Sequence, residues 1–159
     1  MGIYSNSIKN IESIKEGDTV AIPSDPSNET RALRLLEKAG LIEIPESKEL
    51  ITPNDIISNP HKLKLKELEA AQLPRTLDDV AIAVINGNYA LQANLNVKED
   101  ALFTEDKDDN RIHDMRNILV VKKKNKDSEK TKVLQEALTS EKVKKFINEK
   151  YNGAVTPVF

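Results

Sequence analysis

The sequence predicts an α/β fold with a mainly parallel sheet, and three observations support that prediction. Residues 20–22 and 80–85 form short apolar runs, which is the composition of strands that are buried on both faces of a sheet. The first run leads through a short polar turn directly into an amphipathic helix. Further apolar and helical segments alternate along the chain and are joined by short turns, which is typical of layered α/β domains.

The segment 20–40 predicts a strand, a tight turn and a helix in succession. Asp25 is a short polar acceptor of the kind that caps helices, and the proline after it suits the first helical position. Arg31 follows about one turn into the helix, so its guanidinium lies close to the unpaired backbone N–H groups of the helix start. That combination suits an anion, above all a carboxylate, which arginine binds with two parallel hydrogen bonds. The alternative is a solvated Arg31 that pairs with Glu29 or Glu37.

Shorter elements are expected on both sides of this segment. Further strands are predicted at residues 1–5, 63–68 and 118–121. Short helices are predicted at residues 52–59, 70–77 and 88–95, and two amphipathic helices with apolar stripes at residues 133–138 and 143–147 close the chain. An irregular connection or a short edge strand is predicted at residues 41–50, and an acidic, irregular loop at residues 102–116.

Polar side chains follow two of the predicted strands near the points where those strands end. Arg31 follows the first strand within its helix, and Asn86 comes directly after the second strand. In open parallel sheets, ligands bind at the carboxyl ends of strands and near helix N-termini. The two motifs therefore predict a cleft for a small molecule at one edge of the sheet.

Composition excludes several classes of function. The 159 residues carry a net charge of −2 and 4% aromatic residues, so neither a basic patch nor a stacking platform for nucleic acid is indicated. The absence of cysteine excludes disulfides, thiol nucleophiles and thiolate metal sites. No apolar run approaches the roughly 18 residues that a membrane-spanning helix needs. We therefore expect no nucleic-acid partner.

The remaining candidates for chemistry favour surface roles. His61 and His113 are the only histidines and lie far apart in the sequence, so we expect solvated side chains rather than metal ligands. Residues 105–110 are acidic but lack the register of a calcium loop, which indicates a solvated loop. Glu67 and Glu69 stand two apart on a predicted strand with no accompanying nucleophile, which indicates strand-end charge. The sequence thus predicts no enzyme, no metal site and no cofactor.

Five segments of the chain resemble one known family, in the same order. They are Met-Gly-Ile-Tyr-Ser at residues 1–5 and the segments 20–42, 67–79, 83–90 and 150–159. Together they resemble the NlpA/MetQ-type methionine-binding lipoproteins over essentially all 159 residues. The resemblance implies a type II periplasmic-binding-protein-like fold with two lobes, in a substrate-binding protein of an ABC importer.

The resemblance also implies a division of the chain. Residues 1–116 would form the complete second, ligand-binding lobe, and residues 117–159 would supply a C-terminal strand and two helices that return to the first lobe. Family members begin with a lipoprotein signal, a lipidated cysteine and most of that first lobe, ahead of the segment that matches residues 1–5. The full-length parent is therefore expected to be extracytoplasmic and lipid-anchored, and we expect this chain itself to carry no signal or anchor.

Three family positions carry over to this sequence. The arginine after Asn-Glu-X matches Arg31, which is expected to bind the α-carboxylate of an amino acid. Asn86 is expected to hydrogen-bond the polar end of the ligand, and Asn117 to lie near its ammonium group and the hinge. Two departures stand out: Thr30 occupies a position where the family usually has glycine, and residues 110–116 differ from the family's approach to the last strand.

The predicted function is that of a substrate-binding component of an ABC amino-acid importer. Methionine or a close analogue would be captured between two lobes by hinge closure, and the transporter permease would be the partner of the full-length parent. The alternative is a ligand-sensing or self-assembling module of the same fold with no transport role. A homodimer through the apolar face of the C-terminal helices is one form of that alternative.

Overall fold

The computed structural model describes residues 1–105, 116–151, 153 and 155–159. The chain divides into two units, Met1–Glu105 and Asp106–Phe159. The first unit contains the strands β1 (Gly2–Tyr4), β2 (Thr19–Pro23), β3 (Lys64–Leu68), β4 (Ile82–Ile85) and β5 (Ala101–Thr104). Its α-helices are α1 (Pro26–Lys38) and α2 (Gly87–Gln92), and 3-10 helices occupy Ile11–Ser13, Pro53–Asp55 and Ala70–Thr76.

The five strands form one sheet in the order β3-β2-β4-β1-β5. Strand β2 pairs in parallel with β3 and β4, whereas β1 pairs antiparallel with β4 and β5. Four strands therefore run in one direction, and β1 alone runs the other way. The predicted α/β fold is confirmed. The sheet, predicted as mainly parallel, is mixed: two of its pairings are parallel and the two that involve β1 are antiparallel.

The register of the sheet brings the ends of the four co-directional strands into one row. Leu68 lies beside Pro23, and both Ile85 and Thr104 lie beside Gly2. The parallel register of β2 and β4 sets the ends of those two strands level with each other. Residues that directly follow β2, β3, β4 and β5 therefore emerge at the same edge, which we call the carboxyl edge.

Both faces of the sheet are buried, as the apolar strands predict. Val20 and Ile22 of β2 belong to the cluster that packs against α1, and Ala21 between them belongs to the cluster on the opposite face. Helix α1 contributes Leu33 and Leu36 to the first cluster, and both side chains are fully buried. Because full burial of a leucine contributes about 1.5–3 kcal/mol, this packing holds α1 firmly on the sheet.

The ends of α1 follow the capping chemistry that the sequence predicts. The side chain of Asp25 accepts a hydrogen bond of 3.0 Å from the backbone N–H of Asn28, and Pro26 occupies the first helical position. Gly40 has a φ of +75°, the left-handed conformation in which many helices end. The position of Arg31 relative to the sheet is therefore set by a helix that is anchored at its start, its end and one face.

Three predicted elements differ from the structure. The short helix predicted at residues 52–59 is only the 3-10 helix Pro53–Asp55. Residues 102–104 are predicted as the start of an acidic loop but belong to β5. Pairing with β1 supplies their backbone hydrogen bonds, and nothing in their own sequence indicates that pairing. Residues 118–121 are predicted as a strand, yet none of the described strands pairs with them. An apolar segment becomes a strand only when a neighbour bonds to its backbone. Residues 106–115 of the predicted loop lie outside the described part of the chain, which resumes at residue 116.

The second unit contains the two predicted C-terminal helices, which are confirmed as α3 (Glu129–Leu138) and α4 (Glu141–Tyr151). The side chain of Ser128 caps α3 by accepting a hydrogen bond of 3.3 Å from the backbone N–H of Thr131. None of the helices that the structure describes has the length and apolar character to traverse a lipid bilayer. Large apolar side chains are exposed in this unit, among them Val133, Leu134, Leu138 and Phe146.

Thr30 is buried within α1 and ties the helix to the segment that follows it. Its Oγ1 accepts a hydrogen bond of 2.8 Å from the backbone N–H of Ile51 and donates one of 3.2 Å to the carbonyl oxygen of the same residue. Glycine, which the resemblance leads one to expect here, makes neither bond. The departure from the family pattern therefore adds a contact that holds α1 in place.

Replacing Thr30 by Val keeps the shape of the side chain and removes both hydrogen bonds. Because the polar groups of Ile51 are then buried without a partner, we expect the free energy of unfolding to fall by about 1–3 kcal/mol in urea denaturation. Thr30→Ser keeps the hydroxyl and should lose less than Thr30→Val. Equal losses in the two variants would contradict this role of the hydroxyl group.

Candidate functional site

Arg31 lies at the carboxyl edge, where it forms an ion pair with Glu105. The Nε of Arg31 donates to Oε1 of Glu105 at 2.5 Å, and its Nη2 donates to Oε2 at 2.6 Å. The N-terminal ammonium group of Met1 also donates to Oε2, at 2.6 Å. The partner of Arg31 is thus neither Glu29 nor Glu37, which are the alternatives that helical spacing offers. The guanidinium binds a carboxylate at this edge, although this carboxylate belongs to the chain itself.

The carboxylate of Glu105 is held in its charged form. Burial by itself raises the pKa of this group, but hydrogen bonds from Arg31 and the charge of the N-terminal ammonium group outweigh burial and lower the pKa below its ordinary value of 4.5. The side chains of Arg31 and Glu105 are 25% and 14% exposed, so water and salt screen the pair only partly. The ion pair is therefore intact at neutral pH and is lost only in acid below that ordinary value.

Asn86 follows β4 and carries a buried acceptor without a donor. The residue is 9% exposed, and its Nδ2 donates a hydrogen bond of 2.7 Å to Oδ1 of Asn28. Its own Oδ1 is buried and has no hydrogen-bond partner among the described residues. Buried polar atoms are nearly always paired, so this oxygen is an acceptor that remains available to a donor beyond the described residues.

The orientation of the Asn86 amide follows from a series of hydrogen bonds that begins at Asp25. The carboxylate of Asp25 can only accept, so Asn28 must direct its Nδ2 towards it, at 3.0 and 3.1 Å from the two oxygens. The carbonyl oxygen of Asn28 then accepts from Asn86, which leaves the carbonyl oxygen of Asn86 unpaired. Reversing the Asn86 amide would set two carbonyl oxygens against each other.

Arg31 and Asn86 belong to the same edge because α1 links them. Asn28, which accepts from Asn86, stands three residues before Arg31 in α1 and therefore lies on the same side of the helix. Helical neighbours of this kind have Cβ atoms about 5–6 Å apart. The carboxyl edge thus combines a cationic group that binds carboxylates with an acceptor that lacks a donor.

The remaining residues singled out by the sequence are Asn117 and the two histidines. Asn117 belongs to the second unit, where it is exposed. His61 is half-buried in the first unit, and His113 lies outside the described residues. Within the described ranges, no group of three or more His, Cys, Asp or Glu side chains is arranged to hold a metal ion.

The sequence does not single out two residues of this edge. Asn28 falls between Asp25 and Arg31 at a spacing of three, a pattern that could have placed all three on one helix face. Glu105 is predicted to belong to a solvated acidic loop, and that prediction is wrong because its half-buried carboxylate binds Arg31. Since β5 is not predicted, no sequence signal places Glu105 at a strand end.

Similar proteins identify the family. The family model described as NlpA lipoprotein matches residues 1–159. The chain belongs to the NlpA lipoprotein family. Among curated relatives, outer membrane lipoprotein 3 of Mannheimia haemolytica is 45% identical over 153 residues, which are 96% of this chain and 57% of that protein. The D-methionine-binding lipoprotein MetQ of Salmonella typhi is 44% identical over 153 residues, which are 94% of this chain and 55% of that protein.

Solved structures agree with this assignment to the NlpA family. A nutrient-binding protein from Burkholderia cenocepacia bound to methionine is 41% identical with a TM-score of 0.89, over 99% of this chain and 66% of that one. The methionine-binding protein MetQ is 38% identical with a TM-score of 0.85, over 99% of this chain and 64% of that one. The periplasmic substrate-binding fold is therefore confirmed, and the chain spans just over half the length of the curated relatives that it matches.

In this member of the NlpA family, a second carboxylate is buried in the first turn of α1. Glu29 is 4% exposed, and its Oε1 has no hydrogen-bond partner in the described part of the chain. Burial, and then the neighbouring carboxylate of Glu67 on β3, raise the pKa of Glu29 to about 7. A proton on Glu29 therefore stabilises the folded first unit near neutral pH.

Replacing Glu29 by Gln should alter the pH dependence of stability. Because the pKa of Glu29 in the folded chain lies above its ordinary value of 4.5, this group favours folding at low pH, and that contribution disappears as the pH rises to 7. When the pH is raised from 5 to 8, the free energy of unfolding of wild type should therefore fall by about 1–3 kcal/mol more than that of Glu29→Gln. The exposed Glu12→Gln is the matched control, and parallel profiles for wild type and Glu29→Gln would contradict the burial of a proton here.

Proposed function

We propose that this chain is the ligand-binding part of an ABC importer's substrate-binding protein, with methionine as the ligand. One observation carries the proposal: the guanidinium of Arg31 and the unpaired carbonyl oxygen of Asn86 stand at one edge of the sheet. A free amino acid carries a carboxylate and an ammonium group on a single carbon atom. Each of those groups has its chemical complement at this edge.

Arg31 binds the α-carboxylate, because its guanidinium has N–H donors left after pairing with Glu105. Asn86 accepts a hydrogen bond from the α-ammonium group. Leaving a buried acceptor unpaired costs about 1–3 kcal/mol, so the ammonium group removes a cost that the empty edge carries. Ligand binding therefore gives the buried carbonyl oxygen of Asn86 the hydrogen-bond donor that it otherwise lacks.

The preference for methionine is supported by the relatives rather than by these two side chains. Arg31 and Asn86 recognise groups that every free α-amino acid has, so they select the class of ligand and not its side chain. The curated relative from Salmonella typhi carries methionine in its name, and the Burkholderia cenocepacia structure is described as bound to methionine. Methionine or a close analogue is accordingly the ligand that we propose.

The second unit takes part in a two-lobed protein in this proposal. Residues 117–159, including Asn117, complete a first lobe whose other part lies beyond the matched region of the longer relatives. The exposed apolar side chains of α3 and α4 support a role in packing against further protein. In a substrate-binding protein, the rest of the first lobe covers these apolar side chains. In the competing arrangement, a homodimer, a second copy of this chain covers them.

In this proposal, transport begins when the protein binds the amino acid and its two lobes close. The two lobes close on the amino acid about a hinge, and the loaded protein then docks on the transporter permease while a lipid anchor holds it outside the cytoplasm. Lipoprotein names among the relatives support this location. The alternative of a ligand-sensing or self-assembling module is not favoured, because the curated relatives described above are named as a lipoprotein and a methionine-binding lipoprotein.

Arg31→Ala should weaken methionine binding in a two-lobed chimera that joins the first lobe of the Salmonella typhi MetQ to residues 1–159. The variant leaves the ligand carboxylate without its charged partner, so isothermal calorimetry should show a loss of about 2–3 kcal/mol, roughly 30- to 150-fold in Kd. The physical reason is the loss of charge-assisted hydrogen bonds in a partly buried site.

Arg34→Ala is the matched control for this experiment. Arg34 lies one turn further along α1 and donates to the carbonyl oxygen of Lys48 at 2.9 Å, so its removal takes the same charge from the same helix outside the site. Arg34→Ala should change the Kd less than threefold. A chimera that binds methionine with unchanged affinity after Arg31→Ala would remove Arg31 from the site.

A further inference from the structure

Arg31 meets Glu105 along only one edge of its guanidinium group. The bonds to Glu105 come from Nε and Nη2, which is a side-on arrangement that uses both carboxylate oxygens. The planar guanidinium of arginine has five N–H donors, so the two on Nη1 and the second one on Nη2 remain. Nη1 and Nη2 form a second fork with the spacing of a carboxylate.

We infer that Glu105 is a positioning residue, which holds Arg31 so that its Nη1–Nη2 fork stays available for the carboxylate of a ligand. The inference rests on the proposed function, since it assigns a task to Glu105 within the same site. Glu105 itself does not touch the ligand in this arrangement. It acts through the orientation of the guanidinium group.

The backbone around Glu105 explains how a carboxylate can serve as a fixed support. Glu105 directly follows β5, and its backbone N–H donates to the carbonyl oxygen of Met1 at 3.3 Å, which continues the pairing of β1 with β5. Arg31 stands on α1, which packs on the same sheet. The ion pair therefore joins a strand end to a helix, and two rigid elements define where the guanidinium lies.

Positioning matters here because an unsupported arginine side chain has many rotamers. Ordering such a side chain only when the ligand arrives would subtract from the binding free energy, whereas a guanidinium already held by two hydrogen bonds loses little freedom on binding. Arg31 is 25% exposed and Glu105 14%, so the supporting carboxylate is the less accessible of the two groups. The arginine is thus the more accessible partner, as expected if Arg31 contacts the ligand and Glu105 holds Arg31 in place.

The opposite role for Glu105 would be that of an internal substitute for the ligand. In that case the ligand carboxylate displaces Glu105 from Arg31, and removing Glu105 strengthens binding. The two roles therefore differ in the sign of the effect on affinity. The free Nη1–Nη2 fork favours positioning, because a ligand carboxylate can bind there without displacing Glu105.

The test is an NMR titration of the isotopically labelled two-lobed chimera, in which residues 1–159 are joined to the first lobe of the Salmonella typhi MetQ, with L-methionine, L-methioninamide and acetate at millimolar concentrations. Methioninamide lacks the carboxylate, and acetate presents little else. We expect the Nε–H signal of Arg31 to be protected from exchange in wild type and to lose that protection in Glu105→Gln. The Kd for L-methionine should rise at least fivefold in Glu105→Gln, and the Kd for methioninamide should not change.

Two further variants complete the design. Glu105→Asp keeps the negative charge but shortens the side chain by one methylene, so positioning predicts weaker L-methionine binding here as well, whereas a purely electrostatic effect predicts none. Glu99→Gln removes an exposed carboxylate close before β5 and should behave as wild type. The dispersion of backbone amide signals reports whether each variant is folded.

Unchanged or tighter binding of L-methionine by both Glu105→Gln and Glu105→Asp would overturn the inference. If L-methionine shifts the Asn86 signals in wild type while Glu105 variants keep their affinity, the proposed function stands and the role of Glu105 fails. If L-methionine does not bind, the proposed function fails and acetate decides the inference. A shift of the Arg31 signals by acetate that weakens in Glu105→Gln supports positioning, and no shift contradicts it.

Discussion

The alignment of strand ends at one edge of the sheet is the constraint on which the rest of this structure depends. Because β2, β3, β4 and β5 run in one direction and end level with each other, the residues that follow them meet at the carboxyl edge. Arg31, Asn86 and Glu105 come from three separate parts of the chain, and this alignment brings them together with the packing of α1 on the sheet. The amino-acid site that we propose at this edge therefore depends first on strand direction and register, and only then on side-chain chemistry.

A few hydrogen bonds fix the orientation of the polar side chains at this edge, because some of the groups involved can only accept or only donate. The carboxylate of Asp25 both caps α1 and determines the orientation of Asn28, and Asn28 in turn determines which end of the Asn86 amide stays free. Asp25 therefore serves both the cap of α1 and the proposed recognition of a ligand by Asn86. Arg31 is held in a similar way from the opposite side by Glu105, so neither recognition group is free to reorient.

Much of this arrangement follows from the sequence, and the exceptions have physical reasons. The strand at 20–22, the cap at Asp25 and the placement of Arg31 and Asn86 follow from local patterns, because capping and apolar periodicity are local properties. Strand β5 and its neighbour Glu105 do not, because a short edge strand is defined by its partner and not by its own composition. The unpaired oxygen of Asn86 is also beyond sequence reasoning, since it results from hydrogen bonds between residues that are 58 positions apart.

The most direct measurement of the central claim is a crystal structure of the protein with bound L-methionine. The account predicts that the ligand carboxylate lies on the Nη1–Nη2 fork of Arg31 and that the ammonium group lies within hydrogen-bond distance of Oδ1 of Asn86. Methionine bound away from the carboxyl edge would contradict the account. So would an ammonium group that leaves the Asn86 oxygen without a donor.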